Sequence, residues 1–388
     1  MRRKRIVVLG YMAACPIAGV VWQYVHYLAG LQELGHDVYY VEDSARIPYD
    51  PVARTFGEDC RHTVKRLGEL AARFGFDGRW AYRPRYLAGA EPAGLSARAL
   101  RELYREADAV LNVCGAHEMH EDLAQCERLI YVESDPGFLQ IKVDEGDRET
   151  LAYLARHRRL FTFGERIGSA HFPVPLHGLE WLPTRQPVVT RLWETAAPPP
   201  AGAAFTTITN WSAHAAIEWR GKNYLWNKAL EFMKFIDAPA LTGKAFELAV
   251  DLPDAASEAL FRRQGWRLRP TDALNLDPDA YREFIRGSQG EFTAAKSVVV
   301  ALATGWFSDR SACYLAAGRP VVTQDTGFTS LYGGERGLFA FNTIEEVRNA
   351  LARISADYAA HSRAARDIAR EHFEARTVLA SLLDRAGL

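Results

Sequence analysis

GWFSDRSACYLAAGRPVVTQDTGF, Gly305 to Phe328, is the stretch on which the reading of this chain turns. Ser308 stands where a helix would begin, and Asp309, Arg310 and Ser311 would form its first turn. Small and apolar residues then run to Gly318, and Pro320–Thr323 reads as a strand ending in a second Gly-bearing loop. A helix feeding a buried strand is one step of an α/β sheet, and such sheets bind ligands beyond the carboxyl ends of their strands. Two loops, Gly305–Arg310 and Asp325–Phe328, are therefore expected side by side at a cleft. The free N–H groups of a helix start attract anions, phosphates above all. Ser308, Asp309 and Arg310 are expected there, Arg310 offering a guanidinium fork for phosphate oxygens and Asp309 turning toward a hydroxyl or toward Arg310. Gly327 permits close backbone approach, and Asp325 and Thr326 offer groups for hydroxyls.

The same alternation opens the chain. Ile6–Gly10 reads as a strand, Gly19–Leu34 as a helix ended by Gly35-His36, and Val38–Val41 as the next strand. That is a βαβ crossover, so the sheet is parallel and covered by helices. Further strands are expected at Ala109–Cys114, Leu129–Val132 and near Leu160–Phe163, with helices at Asp59–Phe74 and Ser96–Glu106. The Pro- and Ala-rich run from Pro183 to Ala204 reads as a semi-rigid connector. The alternation then restarts with strands at Phe205–Thr209, Phe246–Val250 and Ser297–Leu302 and helices at Tyr224–Phe235 and Pro278–Gly287. Thr343–Ile354 and His361–Ala386 read as helical. The division this gives is an α/β unit over 1–190, a linker over 191–203, a second α/β unit over 204–360 and a final helix over 361–388. Two such units facing each other make a cleft suited to small ligands.

Composition narrows the function classes. A chain of 388 residues has room for two cores. The formal charge of -1 gives no general attraction to nucleic acid or to an anionic membrane, so phosphate recognition has to be local. No apolar run is long enough for a membrane span. The five cysteines are widely spaced and contain no C-x-x-C, which points to a reducing compartment, the cytoplasm. MRRKRIVVLGYMAAC imitates a leader peptide, but the apolar pattern continues to Asp43, which favours an opening strand.

Ala316–Val322 and Gln324–Phe328 resemble the A-x-G-x-P-V-V helix–strand step and T-D-x-G-G-type loop of GT-B glycosyltransferases of the family 4 kind. Leu31–Val41, LQELGHDVYYV, resembles the opening crossover of the same enzymes. The resemblance implies two Rossmann-like domains facing across a cleft, with a nucleotide-sugar donor on the C-terminal domain and an acceptor, small molecule or glycan, on the N-terminal one. It implies transfer of a sugar with neither cofactor nor metal, Gly19 in the loop of the first crossover, and a last helix crossing back to the first domain. Arg220 and Lys222 match basic residues that pair with the diphosphate, and Trp211, Trp219 and Trp226 could stack on a base or sugar. The E-x7-E pair of the retaining members falls here on Gly305 and Cys313, so Glu291 is the candidate substitute. His117 or Asp135, after strands of the first domain, could accept the acceptor's proton. The two histidines of HEMHED, His117–Asp122, lack H-E-x-x-H spacing, and no metal is assigned to them. A nucleotide-sugar epimerase and a non-catalytic two-domain sugar-binding protein are the alternatives.

Overall fold

The computed structural model of the protein describes residues 2–211 and 215–388. Its first half builds an eight-stranded sheet. In chain order the strands of this half are β1 (Arg5–Leu9), β2 (Asp37–Ser44), β3 (Tyr49–Asp50), β4 (Thr55–Phe56), β5 (Trp80–Pro84), β6 (Ala93–Gly94), β7 (Ala109–Val113), β8 (Leu129–Glu133), β9 (Arg159–Thr162) and β10 (Trp181–Pro183). The sheet order is β10-β9-β8-β7-β1-β2-β5-β6, parallel throughout except for the antiparallel edge strand β6. β3 and β4 form a separate small hairpin. The central strands carry near-continuous apolar residues, as strands covered on both faces require; Ile6 to Leu9 are wholly buried.

The second half adds β11 (Phe205–Ile208), β12 (Ala216–Trp219), β13 (Lys222–Leu225), β14 (Phe246–Ala249), β15 (Trp266–Arg269), β16 (Gly290–Thr293), β17 (Val321–Gln324) and β18 (Leu338–Phe341). Six of them form a parallel sheet in the order β15-β14-β11-β16-β17-β18, and β12 and β13 pair as a hairpin. In both large sheets the first strand lies inside the sheet, with the next strands (β2, β5 and β6, or β14 and β15) on one side of it and the later ones on the other. This is Rossmann-like order, and the reversal point is where a ligand crevice opens.

Two local expectations give way. Ser297–Leu302 is not a strand: the central strand is the preceding Gly290–Thr293, and Ser297–Ala301 is helical. The VVVALA run is apolar enough for either state, and pairing between β11 and β17 decides it. The helix expected from Tyr224 begins only at Ala229, because Ala216–Leu225 folds into the β12–β13 hairpin.

The halves are locked together. Trp193 of the connector is fully buried against Trp22 and His26, and Arg286 binds the carbonyls of Leu192, Trp193 and Glu194. The last part of the chain runs as a helix Tyr358–Ile368, a π-helical turn Ala369–Phe373 and a helix Ala375–Arg385. The last of these packs on the helix Ala18–Glu33, where a Cβ at Gly30 would lie 2.7 Å from both Ala375 and Leu379. Among the described residues no helix is long and apolar enough to cross a membrane.

Candidate functional site

A cavity of about 800 Å³ lies between the two sheets, at the carboxyl ends of their central strands. Its wall joins the loop after β1, Ser134 and Asp135 after β8, Thr209 and Asn210 after β11, and the start of the helix Asp309–Ala316. Both sheets therefore contribute strand ends from beside their reversal points.

Ser308, Asp309 and Arg310 are brought to this wall together, as is Gly19. Ser308 occupies the N-cap position with extended backbone, but its side chain makes no capping bond, so first-turn N–H groups are left without that partner. Arg310 behaves differently from a free phosphate fork. Its Nε donates to Glu291 Oε1 at 2.6 Å, Nη1 to the Ile208 carbonyl at 2.7 Å and Nη2 to Thr293 Oγ1 at 3.0 Å. All three nitrogens are thus engaged inside the protein, pinning the helix start to β11 and β16. Burial alone would lower the Arg310 pKa, but Glu291 and Tyr281 hold it above its ordinary value.

Glu291 is correspondingly neither a surface helix residue nor a free contact to a sugar. It lies within β16, is wholly buried, and its Oε2 has no hydrogen-bond partner. The ion pair with Arg310 explains why a carboxylate is tolerated in a central strand.

Asp325, Thr326 and Gly327 do not line the cavity. Asp325 accepts from the Gly327 N–H at 2.9 Å, Thr326 hydrogen-bonds the Trp306 carbonyl, and the Gly305 N–H donates to the Thr326 carbonyl at 2.8 Å. The space between these loops belongs to Arg166 of the first half. A Cβ at Gly327 would come within 2.1 Å of Arg166 Nη1, and one at Gly305 within 2.9 Å of Arg166 Cγ. Both glycines have positive φ, 92° and 76°, so they serve the turn and the approach of this arginine at once. Gly305 could not carry a longer side chain here. Cys313 is buried, with its Sγ 3.8 Å from His26 Nε2.

Arg220 and Lys222 are also displaced from the expectation. Arg220 sits in the exposed turn of the β12–β13 hairpin, stacked 4.4 Å over Trp219, and Lys222 at the exposed start of β13, and neither lines the cavity. Trp219 docks the hairpin on the first half by donating to Asp144 at 2.7 Å. Trp211 packs on Phe232 and Phe261, so only Trp226 of the three tryptophans lines the cavity.

His117 is fully buried, and its Nε2 accepts the Asp43 N–H at 2.7 Å. Burial, then neighbouring His120, lowers its pKa well below the usual value, and it is not among the residues lining the cavity. Its Nε2 braces the end of β2. His120, Asp43 and Asp122 cluster beside it, but Arg85 donates to Asp43 at 2.6 Å and to Asp122 at 3.1 Å. Guanidinium charge already meets both carboxylates.

Asp135 does reach the cavity. Among the described residues it is the sole carboxylate that the first half places on this wall, and it is paired with Lys296 from the second half. Its neighbour Glu133 is buried, accepting from Thr162 at 2.6 Å and from Gln140 at 3.0 Å. Burial raises the Glu133 pKa to about 8. An acid whose pKa rises on folding binds more protons folded than unfolded, so its contribution to stability falls as pH rises from about 4.5 to about 8. The loss is on the order of 5 kcal/mol. Thermal midpoints measured across that window should decline, and Glu133→Gln should flatten the decline; an equal slope in the variant would assign it to other groups.

The residue that sequence reasoning missed is Lys228. It precedes the short helix Ala229–Met233, lines the cavity beside Arg310, and is 7 % exposed. Among the described residues no carboxylate lies within ion-pair distance of its amine. Burial, then the Arg310 charge, lowers its pKa well below the usual lysine value. Its only local signal was a lysine at the head of an apolar segment, ALEFM.

No protein-family model matches the sequence, and a search of curated proteins finds no match. Solved structures do match. An alpha-glucosyltransferase in complex with UDP and a 13-mer DNA superposes with a TM-score of 0.61 at 10% identity over 100% of both chains. HepE of Anabaena, solved with UDP and glucose, gives 0.56 at 10% identity over 99% of this chain and 100% of its own. The sucrose-phosphate synthase of Thermosynechococcus elongatus gives 0.53 at 11% identity over 99% of each chain. The architecture is GT-B: two Rossmann-like domains facing across a cleft.

Proposed function

We propose that the protein is a glycosyltransferase that moves a hexosyl group from a nucleoside-diphosphate sugar to an acceptor hydroxyl in the cleft. Lys228 carries this reading: a cation buried at the cavity wall, without a carboxylate partner among the described residues, suits an anionic ligand. The unfilled first turn of the helix Asp309–Ala316 adds donors beside it, and the charge of Arg310 reinforces both. The family 4-like blocks in the sequence and the GT-B architecture agree with it.

In this reading the sugar C1–O bond to the β-phosphate breaks, and its electrons leave with the diphosphate. Lys228, helped by Arg310 and the helix start, stabilises that departing charge without requiring a metal. The acceptor oxygen forms the new bond to C1, and its proton passes to Asp135, the wall carboxylate of the acceptor side. The second half holds the donor and the first half the acceptor. The five unpaired cysteines fit a reducing compartment, the cytoplasm. The formal charge of -1 favours a small-molecule or glycan acceptor over a nucleic acid.

Calorimetric titration of the full chain with UDP, GDP, ADP and TDP tests the reading. Saturable heat with at least one diphosphate is expected, followed by release of that diphosphate from its sugar conjugate when acceptor is supplied. No heat with any of the four would sink it.

A further inference from the structure

The two sides of the cavity differ in what they leave free. On the first half's side Tyr11, Ile17, Val20, Tyr49, Pro51 and Phe56 present apolar or aromatic surface. Three of the polar side chains on that side are already engaged within the protein. Gln23 Nε2 faces Cys114 Sγ at 3.1 Å, Arg54 pairs with Asp272, and Asp135 pairs with Lys296. Against the apolar part of this wall a glycan's hydroxyls would lose hydration, a loss that a flat apolar ring does not incur.

The β3–β4 hairpin makes the bias stronger. Tyr49 and Phe56 are cross-strand partners with ring centroids 5.2 Å apart, and both line the cavity. Phe56 is nevertheless 69% exposed, and Val52 at the same hairpin is 73% exposed. A large aromatic left open at the rim of a cavity is apolar area that a bound ring would cover. The hairpin belongs to neither main sheet, and Arg54 at its tip reaches across the mouth to Asp272 of the second half. Both partners of that ion pair are about half exposed, so the fastening is weak and readily released.

We propose that the hairpin Tyr49–Phe56, with Tyr11, is an acceptor subsite for a planar, apolar aglycone carrying a hydroxyl group, such as a phenol, and not for a sugar chain. The proposal rests on the glycosyl-transfer reading above and narrows its acceptor. The ring lies between Tyr11 and the hairpin aromatics, with its hydroxyl directed toward Asp135. Arg54 and Asp272 close the mouth over it.

The full chain saturated with UDP, titrated with 4-methylumbelliferone and followed by the fluorescence of that phenol, tests this. Saturable binding is expected, weakened about ten-fold or more in Phe56→Ala and in Tyr49→Ala. UDP affinity, measured by calorimetry on the same proteins, should stay unchanged, and maltose or cellobiose should fail to displace the phenol. Absence of phenol binding with UDP bound, equal affinity in wild type and both variants, or displacement by the disaccharides would each overturn the subsite. Failure of UDP itself to bind would instead count against the glycosyl-transfer reading, and the phenol titration without nucleotide would still decide the subsite.

Discussion

Arg310→Ala is expected to destabilise the folded chain by about 3–5 kcal/mol, because it strands a buried carboxylate. Glu291 sits in the central strand β16 with Oε1 held by Arg310 and Oε2 already without a partner. Removing the guanidinium also frees the Ile208 carbonyl and Thr293 hydroxyl that it ties together. In a chain this large the loss corresponds to a fall in thermal midpoint of roughly 4–6 °C. The double variant Arg310→Met with Glu291→Leu should recover much of it, since an apolar pair of similar volume avoids the desolvation of two charges. Midpoints from calorimetric scans of wild type, single and double variants give the answer. A single variant as stable as wild type would show that the pair does not anchor the helix start.

Lys228→Met should produce the opposite pair of effects. In the free protein this amine is buried beside another cation, and its lowered pKa records the cost of keeping it charged there. A methionine of similar length removes that cost, so the unliganded variant should melt higher than wild type. Its affinity for the preferred nucleoside diphosphate should fall about ten- to hundred-fold, since hydrogen bonds to charged groups contribute about 1.5–3 kcal/mol. Calorimetric affinities and thermal midpoints on the same preparations test both signs. Unchanged affinity would remove Lys228 from the phosphate site, and lower stability would show that it has a structural partner instead.

These two residues also mark the boundary of what the sequence discloses. The opening crossover, the helix after Ser308 and the strand after Gly318 follow from short-range periodicity and turn chemistry, and the structure contains them within a residue or two. The cleft location of Ser308–Arg310 and Gly19 follows from sheet topology alone. What Arg310 does there depends on Glu291, nineteen positions earlier, and on a carbonyl more than a hundred positions earlier. No local pattern encodes such partners. The same holds for Asp325–Gly327, whose place is filled by Arg166 from the other half, and for His117, hidden by the Asp43 N–H. Arg220 and Lys222 were candidates by position after a strand, but the intervening hairpin carried them outward and left Lys228 to face inward.

The return of the chain after Phe373 has a practical consequence for dissecting the molecule. The helix Ala375–Arg385 completes the surface of the opening helix, meeting it at Gly30, while Val188 bonds to Phe373 and Ala375 on either side of the crossing. In connectivity the second Rossmann-like unit is therefore an insertion within the first, not a tail appended to it. A single cut in the connector would separate the first sheet from its own last helix and expose the notch at Gly30. An autonomous donor fragment has to be excised with two cuts, and an acceptor fragment has to be rejoined across the gap.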